Sequence, residues 1–184
     1  MSRPTHTLRH EHRIIEQGLR ALEGICTRLE LGEEIPLETL VQTLDFVQIY
    51  ADRFHHEKEE MHLFPALQQS GVQVEGGPLG FLKHEHQVER QLLIELGGAV
   101  TDYRHGDELA KHRIITIARN YSRHLLSHMR REDTILFVLA EELLDESAKT
   151  ALNFAFAKAS HGLGEKSVDH YEELAANLEN KWSV

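Results

Sequence analysis

Apolar residues recur every three or four positions along four long stretches of the chain, which predicts four amphipathic helices. Gly32 offers a stop for the first helix, and Pro65 should end or kink the second. In the fourth helix the core line is expected to continue through Ile135, Leu139 and Leu143. The predicted helix starts are Leu8, Pro36, Pro78 and the turn at Gly106 and Asp107.

Polar residues interrupt these apolar stripes at a similar depth in all four helices. They are His12, His55, Glu59, His86, His128 and Glu132. Burying unpaired imidazoles and carboxylates is costly, so this set would destabilise a helical core unless something binds it. Two divalent or trivalent ions would do so, because imidazole and carboxylate are ligands of iron, manganese and zinc. Six side chains are too many for one tetrahedral zinc ion and suit two metals.

The polar residues belong to an internal repeat of roughly seventy residues. The fragment HEH at 10–12 returns at 84–86, and in both copies the second histidine lies on the stripe. The pair His55 and Glu59 also returns in the second half, and a spacing of four places both side chains on one helix face. The expected assignment is one metal on His12 and His55, the other on His86 and His128, with Glu59 and Glu132 as bridges.

Short loops between the four helices favour antiparallel neighbours, so the sequence predicts an all-α, up-down-up-down four-helix bundle with a C-terminal helical appendage. The bundle and its two-fold repeat are expected over residues 1–145. The helices of residues 146–184 are expected to pack on it within the same domain, separated by Gly162 and Gly164. The apolar face near residues 150–157 either covers the bundle or joins two chains, which leaves monomer and homodimer open.

Histidine is the unusual part of the composition, with 14 residues in a chain of net charge −10, and it indicates a metal-binding or pH-linked role. The negative charge argues against nucleic acid and anionic membranes as partners. The sequence shows no apolar run of membrane-spanning length and no charged-then-apolar leader. A single cysteine, Cys26, suits a reducing compartment, so a cytoplasmic location is expected.

Several neighbours of the six residues have roles that the sequence leaves open, namely His56, Glu60, His62, Glu89 and His124. His56 points about 100° away from His55 on a helix, so it is expected to support a ligand or to face solvent. The plainer alternative is that a lone stripe histidine is an ordinary core residue and HHEKEE a solvated face. The conjunction of four stripe histidines and two matched glutamates in a repeat favours the metal site.

The segments HHEKEEMHLFPAL, KHEHQVE and HMRREDTILF resemble the hemerythrin-like, or HHE cation-binding, family over about residues 5–145. The resemblance implies a helical bundle that holds a non-heme di-iron centre, with an oxo or hydroxo bridge and an open position for a small ligand. Manganese or zinc would be substitutes. The family motif H, HxxxE, H, HxxxE falls here on His12, on His55 and Glu59, on His86, and on His128 and Glu132.

The chain departs from the oxygen-carrying hemerythrins at two positions. Those proteins have an HxxxH pair on the third helix, whereas the residue four after His86 is Arg90. They place an aspartate five residues after the fourth-helix histidine, whereas Glu132 is four after His128 and Asp133 is five after it. These departures move the expectation from reversible oxygen carriage toward relatives that react with peroxide or nitric oxide, or that sense oxygen or iron.

Three functions therefore compete. A redox enzyme would act on O2, H2O2 or NO, with electrons from an external donor or a second peroxide, because the chain has no dinucleotide or flavin motif. A sensor or store of iron, oxygen or nitric oxide would bind without turnover. A metal-free polar network is the third reading, and it would have to satisfy every buried member by hydrogen bonding.

Overall fold

The computed structural model describes residues 3–160, 163 and 166–183, and these residues form helices without any strand. Helix α1 spans Pro4–Glu30 and α3 spans Pro78–Arg104. Helix α2 consists of the consecutive segments Leu37–Phe46, Val47–His56, Glu59–Leu63 and Phe64–Gln69. Helix α4 consists of Ala110–Arg131, Glu132–Leu136 and Phe137–Leu143. Helices α5 and α6 span Glu146–Ala159 and Val168–Trp182. Gly162 and Gly164, predicted to separate these two, lie outside the described residues.

Proline and glycine set the helix ends where the sequence predicts them. Pro78 opens α3 in the first turn, where its missing N–H is not needed. Gly32 follows α1 at φ +85°, a left-handed conformation that glycine adopts without strain. The Asp107 carboxylate accepts a hydrogen bond from the backbone N–H of Leu109, just before α4. The predicted stop of the first helix and start of the third are confirmed.

The sequence predicts that Pro65 ends or kinks the second helix. The helix does not end there, which corrects the first of these alternatives. Helix α2 continues through Pro65 to Gln69. A proline ring inside an α-helix normally collides with the carbonyl four residues earlier. The turn Glu59–Leu63 immediately before Pro65 is π-helical, and such a turn is wider than an α-helical one. The wider turn makes room for the ring, so the chain stays helical.

The end of α4 is shifted by one residue from the predicted core line. Ile135 and Leu143 are 51% and 45% exposed, whereas Leu136 and Ala140 are buried. The cause is the π-helical segment that starts at Glu132, because each π turn takes up one residue more than an α turn. A strict 3.6-residue period therefore fails beyond Glu132.

Contacts along neighbouring helices run in opposite directions. At the start of α1, Arg3 pairs with Glu141 late in α4, whereas Glu30 at the end of α1 pairs with Arg119 early in α4. The other neighbouring helices show the same reversal. Between α1 and α2, Glu11 contacts Lys58 and Gly18 contacts Phe46. Between α2 and α3 the contacts are Asp52 with Arg90 and Glu60 with His86, and between α3 and α4 they are Glu85 with Arg131 and Asp102 with Arg113.

Two apolar clusters lie along the helices with a polar layer between them. The larger cluster includes Ile25, Tyr50 and Tyr121. The smaller one includes Leu8 and the two phenylalanines of the repeated motif, Phe64 and Phe137. Apolar packing on both sides fixes the helices and keeps the layer out of water, so each polar side chain of the layer has a defined position.

The two C-terminal helices pack against the first four. Arg20 of α1 pairs with Glu179 of α6, and the Arg28 guanidinium lies 5.2 Å from the Trp182 ring. Phe156 of α5 is buried in the smaller apolar cluster. No helix among the described residues combines the length and the apolar character that a membrane span requires.

Candidate metal centre

The structure brings the six stripe residues into one buried layer, with none more than 2% exposed. Their imidazoles form two pairs. The Nε2 atoms of His12 and His55 are 3.0 Å apart, and those of His86 and His128 are 2.9 Å apart. Each pair joins neighbouring helices, so the repeat places two equivalent imidazole pairs side by side.

Glu59 lies between the two imidazole pairs. One of its oxygens is 3.7 Å from His55 Nε2, and the other is 3.6 Å from His86 Nε2. The carboxylate therefore offers one oxygen to each pair, as a ligand that joins two metals does.

Glu132 has the same relation to both pairs. Its Oε2 is 3.3 Å from His12 Nε2, and its Oε1 is 3.0 Å from His128 Nε2. Two carboxylates thus face the space between two imidazole pairs, and each candidate ion has two imidazoles and two carboxylate oxygens around it.

Unpaired oxygens show that this layer fits metal ions. Neither oxygen of Glu59 or Glu132 forms a hydrogen bond, although both carboxylates are fully buried. A buried carboxylate without a partner is strongly unfavourable, and a cation removes that cost. Two nitrogens that would both bind one ion about 2.1 Å away lie about 3.0–3.4 Å apart, so each imidazole pair is close enough to share a cation.

Each of the four imidazoles is held from behind by a carboxylate. The Nδ1–H of His55 donates to Glu11 over 2.9 Å, and that of His128 donates to Glu85 over 3.0 Å. The other two bonds join His86 to Glu60 over 2.6 Å and His12 to Asp133 over 3.2 Å. A hydrogen bond at Nδ1 directs Nε2 toward the layer, so each of the four imidazoles, when neutral, presents its Nε2 lone pair to a cation there.

A cation in turn holds each of these outer carboxylates. The four contacts are Lys58 to Glu11, Arg131 to Glu85, Arg90 to Glu60 and Arg9 to Asp133. The layer therefore contains four chains of imidazole, carboxylate and cation. Such outer carboxylates fix the ring orientation and raise the basicity of a ligating imidazole.

Sequence reasoning missed two of the outer carboxylates. Glu11 and Glu85 are the central residues of the repeated HEH fragments, and both are buried. The signal was present, because the fragment returns with its glutamate and not only with its histidines. Lys58 was also missed: it is 2% exposed, and its Nζ lies 3.6 Å from the centre of the Phe54 ring. A lysine within a charged run gives no sign that it is buried.

Burial shapes the protonation of the centre. It lowers the pKa of His55 to about 4, which keeps this imidazole neutral and able to bind a metal. Burial and the neighbouring charge of Glu132 raise the pKa of Glu59 well above its ordinary value. Burial alone would also raise the pKa of Glu132, but His128 and His12 hold it well below the usual range. The two carboxylates compete for positive charge, which two metal ions would supply to both.

Two of the neighbours left open by the sequence contact the centre. Glu60 is the outer carboxylate of His86. His56 is not at the surface: it is fully buried, and its ring stacks on that of His86 with centroids 4.0 Å apart. Neither ring nitrogen of His56 forms a hydrogen bond.

The remaining neighbours lie outside the layer of six. Glu89 is 1% exposed and accepts a hydrogen bond from His124 Nδ1 over 2.9 Å, and its other carboxylate oxygen lies 3.6 Å from His56 Nε2. The His62 ring is half-buried, 6.3 Å from that of Phe156. Neither His62 nor His124 belongs to a ligand group among the described residues.

The phenylalanines of the repeated motif support two of the imidazoles. Phe137 stacks on His12 with ring centroids 5.3 Å apart, and Phe64 stacks on His86 at 5.7 Å. The recurrence of Leu-Phe after each glutamate therefore has a physical reason. It provides an apolar wall on one side of the polar layer.

Comparison with known proteins agrees with this geometry. The model of the Hemerythrin HHE cation binding domain family matches residues 3–140. An uncharacterized protein of Mycobacterium bovis and two of Mycobacterium tuberculosis are each 22% identical to the chain over 178 residues, covering 96% of this chain and 69% of each relative. No solved structure gives a significant match. The family match covers most of the chain and all of the polar layer, and the chain therefore belongs to the hemerythrin HHE cation-binding domain family.

Proposed function

We propose that the protein is a non-heme di-iron protein that binds or reacts with O2, H2O2 or NO. The observation that carries this proposal is the pair of buried carboxylates, Glu59 and Glu132, each facing two imidazole pairs with no hydrogen bond to its oxygens. One ion would be held by His12 and His55 and the other by His86 and His128, with manganese or zinc as substitutes for iron.

A bound iron pair supplies the capacity to exchange electrons with a small oxidant. The residues of the chain do the rest. The four outer carboxylates orient the imidazoles, and the apolar clusters above and below keep bulk water away from the layer. The sequence carries no dinucleotide or flavin motif, so reduction would come from an external donor or from a second peroxide.

The proposal includes the architecture around the site. The antiparallel contacts of α1 to α4 support an up-down-up-down four-helix bundle, and the packing of α5 and α6 on it supports one domain over residues 1–145 and 146–184. We propose a cytoplasmic protein, monomeric or homodimeric, that does not bind nucleic acid or membranes. The net charge of −10 supports the last point.

Metal content and the visible spectrum test the proposal. The protein purified in air is expected to hold close to two irons per chain and to absorb in the near ultraviolet as oxo-bridged iron does. The variant Glu59→Ala should lose most of this iron, whereas Glu57→Ala, an exposed neighbour on the same helix, should keep it. A colourless wild-type protein that takes up no iron, even when iron is supplied during refolding, would contradict the proposal.

A second experiment separates turnover from binding. Hydrogen peroxide is added to the iron-loaded protein, and dioxygen release is followed with an electrode. An enzyme that disproportionates peroxide to water and dioxygen gives sustained release that Glu59→Ala abolishes and Glu57→Ala retains. Binding without turnover gives a single stoichiometric spectral change, which would favour the alternative of a sensor or store of iron, oxygen or nitric oxide.

A further inference from the structure

His56 is a buried imidazole without a hydrogen bond, and among the described residues it groups with the two histidines of one candidate metal position, His86 and His128. Its Nε2 lies 3.6 Å from a carboxylate oxygen of Glu89. Both of its ring nitrogens lack a hydrogen bond, and its side chain is fully enclosed. One nitrogen lies within 4.8 Å of nitrogens of both His86 and His128. The three nitrogens therefore form a group of the size that one metal ion can occupy.

The surroundings of His56 repeat the pattern behind the other four imidazoles. Its Nδ1 lies 3.4 Å from the Asp52 carboxylate, and Asp52 accepts a hydrogen bond from Arg90 over 2.7 Å. This is a fifth series of imidazole, carboxylate and cation, although the first contact is looser than in the other four. Arg90 also pairs with Glu60, so one guanidinium holds the carboxylates behind both His56 and His86.

We propose that His56 is a third imidazole ligand of the ion held by His86 and His128. The proposal rests on the di-iron function proposed above and adds a ligand that neither the sequence pattern nor the family match assigns. Helix α2 would then supply the fifth imidazole of the centre, and Arg90 would position it through Asp52.

The proposal makes the two halves of the repeat unequal. The second half has Met129 where the first has His56, each directly after the histidine of its motif. The ion at His12 and His55 would then have two imidazoles, whereas the ion at His86 and His128 would have three. The two irons should therefore differ in affinity and in their spectra.

A purely structural role for His56 makes a different prediction. Its ring is nearly parallel to that of His86, at an interplanar angle of 10°, so it could serve only as a stacking support. A phenylalanine would keep that stack and remove the nitrogens. His56→Phe therefore separates the two roles, because only a ligand needs its nitrogen lone pair.

The test is an anaerobic titration of metal-stripped full-length protein with ferrous iron against a competing chelator, together with ⁵⁷Fe Mössbauer spectra. Wild type should bind two irons with unequal affinity and give two distinct doublets. His56→Phe should lower the affinity for one of the two irons by at least about tenfold and change one of the two Mössbauer doublets. The exposed control His84→Phe should change neither. His56→Met, which copies the residue of the other half, is a second variant if the first does not fold.

The outcomes are separable. If wild type binds two irons and a folded His56 variant keeps both affinities and both doublets, the ligand role is overturned and the di-iron function stands. If wild type binds no iron, the di-iron function itself fails. Loss of one iron in a His56 variant, with unchanged helix content by circular dichroism, supports the assignment.

Discussion

At the scale of single residues, the molecule is organised by what lies behind each imidazole. The six stripe residues were predictable, because a polar side chain on an apolar stripe is visible in the sequence. Glu11 and Glu85 were indicated only by the return of the whole HEH fragment. The cations that hold them were not predictable, since periodicity cannot distinguish a buried charge from a solvated one. The sequence left His56 open between supporting a ligand and facing solvent, because only packing shows which neighbour of a stripe residue turns inward.

The outer carboxylates should tune metal affinity. Glu85→Gln keeps the shape of the side chain but removes the charge that orients His128 and pairs with Arg131. We expect metal affinity to fall by roughly 10- to 100-fold without loss of the fold. Competition with a chelator measures this, and the exposed Glu108→Gln is the control. Equal affinities in the two variants would mean that Glu85 does not act on the metal.

The thiol of Cys26 should be inert while the protein is folded. Burial raises its pKa to about 12, so at pH 8 only about one thiol in ten thousand is a thiolate. We expect negligible reaction with a disulfide reagent in buffer and stoichiometric reaction in denaturant. The absorbance of the released thiolate is the measurement. Rapid labelling of the native protein at pH 8 would show that the core around α1 opens readily.

At the scale of helices, π-helical turns position part of the polar layer. They include His55, His56 and Glu59 in α2 and Glu132 in α4, so both central carboxylates lie on widened turns. π turns are often found at functional sites, where they turn a side chain away from its α-helical direction. The existence and order of the helices follow from periodicity. The extra residue of a π turn does not, because it breaks the same periodicity from which helices are predicted.

The register shift in α4 can be tested with adjacent residues. Leu136 is fully buried, whereas Ile135, expected in the core from the sequence, is half exposed. Leu136→Ala should lower the free energy of unfolding by about 2–5 kcal/mol. Ile135→Ala should change it by less than about 1 kcal/mol. Urea denaturation measures both. The reverse order would mean that α4 keeps an α-helical register past Glu132.

At the scale of the whole molecule, a buried polar layer, unfavourable to desolvate, lies between two apolar clusters. The two C-terminal helices pack against the outside of the first four helices. The first four helices, and the histidines and glutamates on them that could bind metal, could be predicted from the repeat. The packing of α6 against α1 could not be predicted from the sequence, because it depends on a close approach of the two helices at Gly24 rather than on an apolar stripe. A Cβ at Gly24 would overlap the carbonyl oxygen of Trp182.

That close approach gives a matched pair of glycine substitutions. Gly24→Ala should force α6 away from α1 and lower the free energy of unfolding by about 1–3 kcal/mol. Gly98→Ala, in the exposed middle of α3 with no neighbouring atom near its Cβ, should raise it by about 0.5–1 kcal/mol through helix propensity. Thermal unfolding measures both. A neutral Gly24→Ala would show that α6 does not depend on this contact.

The central claim is that two metal ions neutralise four imidazoles and two carboxylates inside this bundle. An anomalous difference map from crystals of the iron-loaded protein, recorded at the iron absorption edge, tests it most directly. We expect two peaks about 3–4 Å apart, one beside His12 and His55 and the other beside His86 and His128, with Glu59 and Glu132 between them. A single peak, or none within this layer, would contradict the account.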